Sequence, residues 1–166
     1  MRTLFNLWID ADGDGCNTRK EVLLRDAAVK PTVGSSCALS GGRWRSPYDD
    51  LEFTDAAKLD IDHVVPLAEA WDSGASGWDS DEREAYANDL GLATGLLAVS
   101  ATSNRSKGDR DPTEWLPPKA AFLCDYLADW LAVKARWDLA LDPAEEAAIT
   151  TEAACAGTTV MVLLAA

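Results

Sequence analysis

The sequence predicts an α+β single domain, mainly helical, in which two short strands separated by an insertion lead into a helix. Three observations lead there. First, 166 residues match the usual size of one domain, and a chain this long can bury roughly 70% of its unfolded surface. Second, between Lys119 and Trp137 the residues Leu123, Leu127, Trp130, Leu131 and Phe122, Tyr126, Val133, Trp137 recur at helical spacing, with Asp125, Asp129, Lys134 and Arg136 between them. Third, two short apolar runs, in KLDIDHVVP and in Leu96 to Val99, are bounded by turn residues and polar stretches, as strands are. A composition of 48% hydrophobic and 26% charged residues excludes a disordered, collagen-like or coiled-coil chain.

The elements follow in order. Thr18 opens a T-x-x-E capping box with Glu21, which predicts a helix over about residues 19–28 ended by Pro31. From Lys30 to Asp50 the chain is rich in Gly, Ser and Pro and reads as loops with brief strands around Cys37 to Leu39 and Trp44. In KLDIDHVVP apolar and acidic residues alternate up to His63, and Pro66 closes the strand. Leu67 to Trp71 make a helical turn. Residues 72–89 hold six acids and one Arg, a solvated face, with Ser80 as N-cap of a helix through about Leu90 and Gly91 as its stop. The second strand follows, and SATSNRSKGDRDP reads as a turn into a brief helix. Beyond the long helix, another starts at Asp142-Pro143, is capped by Glu145 and reaches Cys155. Neither repeats nor a linker divide the chain.

Charge and cysteine content narrow the function. Against 28 acids there are 15 Lys and Arg, a net charge of -13, so a broad basic surface that coats nucleic acid is excluded and any such contact must be local. The apolar runs, including Val160 to Ala166, fall short of the roughly 18–20 residues of a membrane span. The opening MRTLFNLWI lacks a small-residue cleavage site, so an export signal would have to lie upstream. The four cysteines, Cys16, Cys37, Cys124 and Cys155, form no C-x-x-C pair and allow three pairings. The favoured one joins neighbours in sequence, Cys16 to Cys37 and Cys124 to Cys155, and predicts an extracellular, secreted monomer. Four buried thiols in a cytoplasmic protein are the alternative.

The chemistry concentrates in two segments. The single His of the chain, His63, directly follows Asp62 at a strand end, and SNRSKGDRDP places Asn104 beside Arg105, Lys107 and Arg110, a cationic cluster suited to phosphate. LDIDHVVPLAEAW, followed by LLAVSATSNRSKGD and DPTEWLPP, resembles the HNH endonucleases with the ββα-metal finger. It is most similar to the subgroup related to the C-terminal domain of GmrSD-type restriction enzymes and to secreted bacterial HNH nucleases. The resemblance runs from Cys16 to Cys155, with the finger over about residues 57–116. It implies a ββα-metal (HNH) finger embedded in the mainly helical domain, and metal-dependent hydrolysis of DNA phosphodiesters. Residue by residue, it implies His63 as general base and Asp62 and Asn104 as ligands of one divalent ion, Mg²⁺ or Mn²⁺. Imidazole chemistry and hard oxygen donors suit those roles. Arg105 and Lys107 would hold phosphate. An RNA-directed or toxin-like nuclease would carry the same finger.

Two departures accompany the resemblance. Adjacent residues on a regular strand face opposite ways, so the strand must end or bulge for Asp62 and His63 to converge. The Asn that family members carry shortly before the second strand is replaced here by Thr94-Gly95, with Asn88 further upstream.

A second metal motif lies in DADGDGCNTRKE, where Asp10, Asp12, Asp14, Gly15 and Glu21 match the EF-hand loop template for Ca²⁺, while Asn17 replaces its aliphatic residue. An extracellular calcium-binding module is therefore the rival reading. Of the aromatic residues, Trp71, Trp78, Trp115, Trp130 and Trp137 are expected in the core, and Trp44, between Arg43 and Arg45, is the candidate for contact with nucleic acid.

Overall fold

Six short strands, six α-helices and five single 3₁₀ turns form the secondary structure of the described residues, which in this computed structural model are 1–152, 155, 157, 158, 160 and 165. In chain order the strands and α-helices are α1 (Thr18–Asp26), β1 (Thr32–Val33), β2 (Leu39–Ser40), β3 (Trp44–Arg45), β4 (Glu52–Phe53), β5 (Leu59–His63), α2 (Leu67–Asp72), α3 (Ser80–Ala87), β6 (Leu96–Ser100), α4 (Ala101–Lys107), α5 (Leu123–Arg136) and α6 (Pro143–Thr150). β1 pairs with β2 and β3 with β4 as two-residue ladders, while β5 and β6, separated in the chain by α2 and α3, form an antiparallel five-residue ladder, with Leu59 opposite Ser100 and His63 opposite Leu96.

The β5–β6 ladder separates two apolar layers because its side chains alternate. Leu59 and Ile61 of β5 and Leu96 and Ala98 of β6 pack with Val22 and Leu23 of α1 and with Trp44. Val99 faces the other way, into a larger core with Val64, Tyr126, Trp130 and Val133. Asp60 and Asp62 are opposite Val99 and Leu97, so the two carboxylates share this second face. A buried ion cluster supports the helical layer. Lys134 Nζ meets Glu69 at 2.6 Å and Glu145 at 3.0 Å, and Trp130 Nε1 donates to Glu145 at 3.0 Å.

Both expected disulfides form, Cys16–Cys37 and Cys124–Cys155, each with Cα atoms 5.1 Å apart. The first ties the start of α1 to the loop before β2; the second ties α5 to the segment after α6. Helix caps move by one residue from their expected places. Asn17 caps α1 by accepting from Lys20 N–H, so Thr18 is the first helical residue and the Thr18–Glu21 box does not form. Asp79, paired reciprocally with Glu82, caps α3 in place of Ser80. α1 stops at Asp26, well before Pro31, and α3 stops at Ala87, before Gly91. α6 has the Asp142–Glu145 box as expected and ends at Thr150; residues 153 and 154 of the expected extension to Cys155 lie outside the described residues.

Trp44 is a correction. Its side chain is 1% exposed and its indole N–H donates to Leu23 O at 2.7 Å, so it anchors α1 to β3 and presents nothing to nucleic acid.

Candidate active site

β6 runs into α4 with no turn between them, because Ser100 ends the strand and caps the helix at once. Its Oγ accepts from Ser103 N–H at 3.1 Å, and its own N–H is held by Ser46 Oγ at 3.0 Å. Asp49 lies at this helix start and accepts from the hydroxyls of Ser100 and Ser103. Burial alone would raise the Asp49 carboxyl, but hydrogen bonds from Ser100, Ser103, Ser46 and Leu51 outweigh it and leave it below its ordinary value. The rigid strand-to-helix junction fixes where residues 104 and 107 project.

Asp62 and Lys107 meet beneath this junction. Lys107 Nζ lies 2.7 Å from Oδ2 and 2.9 Å from Oδ1 of Asp62, and it also donates to His63 O at 2.8 Å. Tyr48, fully buried, donates its hydroxyl to Asp62 Oδ2 at 2.5 Å. Burial pushes the Tyr48 hydroxyl well up, and the Asp62 charge adds to that; burial also pulls the Lys107 ammonium down. With 0% exposure, Lys107 cannot reach a phosphate, so the structure places it under the site as the partner of Asp62.

His63 closes β5, and its ring stacks on Tyr86 of α3 with centroids 6.1 Å apart and lies tilted beside Trp8, 5.8 Å away. Nε2 lies 3.0 Å from Ala87 O, the last carbonyl of α3. A carbonyl only accepts, so Nε2 carries the proton, and Nδ1, which makes no hydrogen bond among the described residues, keeps its lone pair. Burial lowers the imidazole pKa to about 4, against the opposing effects of the Ala87 carbonyl and Asp62, so the ring is neutral at pH 7.

The peptide that holds this ring is itself braced by Asn88. The Asn88 amide oxygen accepts from Ile9 N–H at 3.1 Å and Thr18 Oγ1 at 2.8 Å, and its nitrogen donates to Asn6 O at 2.7 Å and Glu84 O at 2.9 Å. These bonds tie the end of α3 to the N-terminal segment and to the start of α1. Asn88 makes them from a position that residue spacing alone does not single out. Gly95 has another part: its carbonyl accepts from Val64 N–H at 3.0 Å and extends the β5–β6 ladder by one bond past His63.

Asp62, His63, Asn104 and Arg105 line one open cleft of about 340 Å³. Asp62 and His63 are consecutive, regularly paired residues of β5, which has His63 as its last residue, and both reach the cleft wall without a bulge between them. The Arg105 side chain is 76% exposed at the rim, with Nε 3.5 Å from Asp60 Oδ2. Gly108 makes the sharp exit of α4 at φ 58°, ψ −130°, a conformation open only to glycine, so the chain leaves the cleft immediately after Lys107. The donors fit a hard divalent ion. Asp62 Oδ2 carries both Tyr48 and Lys107, but Oδ1 carries Lys107 alone, and Asn104 Oδ1 has no bond among the described residues. A carboxylate oxygen accepts twice, so both residues retain a free lone pair at the cleft.

The N-terminal acidic loop lies apart from this cleft. Carboxylate oxygens of Asp10, Asp12 and Asp14 come within 4.8 Å of one another, and Glu21 joins Asp14 in a second grouping that includes Cys16, whose sulfur is already in a disulfide. Burial and then Asp14, Asp12 and Asp10 raise the Glu21 carboxyl. The three aspartates are exposed, and each accepts a backbone N–H of its own loop. The segment before the loop holds one 3₁₀ turn, Arg2–Leu4, so the helix-loop-helix of an EF-hand does not form.

Comparison with known proteins places these residues in a family. The family described as GmrSD restriction endonucleases, C-terminal domain, matches residues 18–152. An uncharacterized secreted protein of Arthroderma benhamiae is 44% identical over 150 residues, covering 90% of this chain and 72% of that protein. No solved structure matches.

Proposed function

Because the chain belongs to the family of the C-terminal domain of GmrSD restriction endonucleases, we propose that it is a metal-dependent endonuclease that hydrolyses phosphodiester bonds of DNA. The observation that carries this reading is the convergence of His63, Asp62 and Asn104 on one cleft with Arg105 at its rim. His63 is the general base: Ala87 O fixes its tautomer, burial keeps it neutral, and Nδ1 takes the proton of the attacking water. Asp62 and Asn104 would hold one Mg²⁺ or Mn²⁺, which supplies Lewis-acid stabilisation of the phosphate charge and of the departing oxygen. Lys107 neutralises Asp62, so the chain contributes little net charge to that ion and the substrate phosphate must contribute the rest. Arg105 positions the phosphate beside it.

Two disulfides and a relative named as a secreted protein support an extracellular location, where a disulfide-closed domain keeps its bridges.

Nicking of supercoiled plasmid at low salt with Mg²⁺ or Mn²⁺ tests the reading, with His63→Ala and EDTA as controls and single-stranded RNA as a parallel substrate. Metal-dependent nicking lost in His63→Ala is the expected result, a fall of about 10²-fold or more. Cleavage of RNA alone would move the substrate class and keep the site. An inactive parent that binds Ca²⁺ tightly by calorimetry would replace this reading with a calcium-binding module centred on Asp10, Asp12 and Asp14.

A further inference from the structure

We propose that Asp60 is a positioning residue that sets which face of the Asn104 amide looks into the cleft; this rests on the metal-dependent reading above. Asn104 Nδ2 donates to Asp60 Oδ2 at 3.2 Å, and the neighbouring Arg105 Nε approaches the same oxygen at 3.5 Å.

A primary amide is two-faced. Its oxygen is a hard ligand for a divalent cation, and its NH₂ end repels one. On an otherwise unconstrained side chain a half-turn of the terminal torsion exchanges the two ends. Asp60 removes that freedom, because a carboxylate only accepts, so the NH₂ end must turn to it and the Oδ1 end turns away. The bond is charge-assisted, which makes it the stronger kind of amide anchor.

Strand register puts Asp60 where it can do this without entering the site. Asp60 and Asp62 are two residues apart on β5 and share a face, opposite Val99 and Leu97. α4 crosses that face with Asn104 above Asp60 and Lys107 above Asp62. The cleft is lined by Asp62 and Asn104 but not by Asp60. One carboxylate is thus matched to the ammonium of α4 and the other to its amide. The segment D-I-D of β5 and N-R-S-K of α4 form a two-rung ladder, with the first rung orienting a ligand and the second neutralising one. Arg105, held on the same oxygen, is kept at the rim by the same rung.

The test is titration of the full-length protein with Mn²⁺ alone, followed by electron paramagnetic resonance of the free ion, together with the thermal midpoint of each variant. The component of binding that Asn104→Ala removes defines the cleft site and separates it from the acidic loop. Asp60→Ala is expected to weaken that component about tenfold or more, as loss of a ligand-orienting partner does. Asp60→Asn still offers an oxygen to Asn104 Nδ2, but its own NH₂ can pair with the other end of the amide, so its binding is expected to fall between those of Asp60→Ala and the parent. The thermal midpoints of both should stay near that of the parent, since the Asp60 side chain is 30% exposed. Parent-like binding in Asp60→Ala overturns the proposal. So does equal loss in Asp60→Ala and Asp60→Asn down to the level of Asn104→Ala, which would make Asp60 a ligand itself. If the parent has no component that Asn104→Ala removes, the metal assignment of the proposed function falls and takes this inference with it.

Discussion

The ammonium of Lys107 sits 2.7 Å and 2.9 Å from the two carboxylate oxygens of Asp62, with the lysine side chain 0% and the aspartate side chain 7% exposed. This pair is built into the floor of the cleft, and the floor cannot lose one partner cheaply. Lys107→Met leaves Asp62 charged and buried with only Tyr48 to bond it, and is expected to cost about 3–5 kcal/mol. The double variant Asp62→Asn, Lys107→Met removes both charges and should recover most of that. Urea unfolding of the two variants and the parent checks it; a Lys107→Met protein as stable as the parent would mean that the pair carries no net energy.

Asn88 predicts a split between stability and catalysis. Asn88→Ala leaves the Ile9 N–H without its acceptor and the Asn6 carbonyl without a donor, and confines the Thr18 hydroxyl to the Ile9 carbonyl. A cost of about 2 kcal/mol follows from groups left unsatisfied. The same change loosens the peptide whose carbonyl orients His63, so kcat of cleavage should fall by more than KM changes. Steady-state nicking kinetics beside thermal unfolding would show both effects, and a loss confined to KM would remove Asn88 from the support of His63.

Much of this site is legible in the sequence, and the parts that are not have a common cause. The alternation in LDIDH places a strand that ends at His63, and the polar run after Val99 places a helix, because both signals are local. The burial of Lys107 is not local. It depends on Tyr48, which arrives from a loop 14 residues before Asp62, and on the His63 carbonyl across the strand end. The caps shift by one residue because Asn17 and Asp79 are as competent as the Thr18 and Ser80 beside them, and only backbone geometry decides between neighbours. Trp44 between two arginines has the composition of a base-stacking residue, but its indole N–H satisfies Leu23 O and its ring fills the layer under α1. Asn88 escapes a count of spacing because its value lies in four bonds to three separate segments.

Net charge makes substrate binding a local affair. With -13 overall and Arg105 exposed at the rim of the cleft, few phosphates can be held. Binding of a short duplex to the His63→Ala protein should weaken as salt rises, with a shallow log–log slope set by those few contacts. Arg105→Ala should weaken binding and flatten that slope by about 0.9, the value of one phosphate contact on duplex DNA. Fluorescence anisotropy between low and physiological salt measures it. An unchanged slope would mean that Arg105 serves Asp60 and not the substrate.

Asp129 sets a pH dependence that is independent of the cleft. Burial on α5 raises its carboxyl to about 6 from 3.8, with Asp125 adding to the rise and a hydrogen bond from Thr94 opposing it. The folded state therefore binds more protons than the unfolded one between those values, so this group's contribution to stability falls as pH rises from 3.8 to about 6 and stays low above that. Asp129→Asn keeps an oxygen for the Thr94 hydroxyl and has no charge to desolvate. It should be more stable than the parent by about 1 kcal/mol at pH 7, a figure reduced for the solvent that reaches the side chain. The advantage should shrink as pH falls through 6 and vanish below 3.8, where the parent carboxyl is protonated in both states. Denaturant unfolding of parent and variant across that range, compared as a difference so that the other acids cancel, decides it. A variant less stable than the parent at pH 7 would mean that the charged form is favoured by its surroundings and that burial does not dominate.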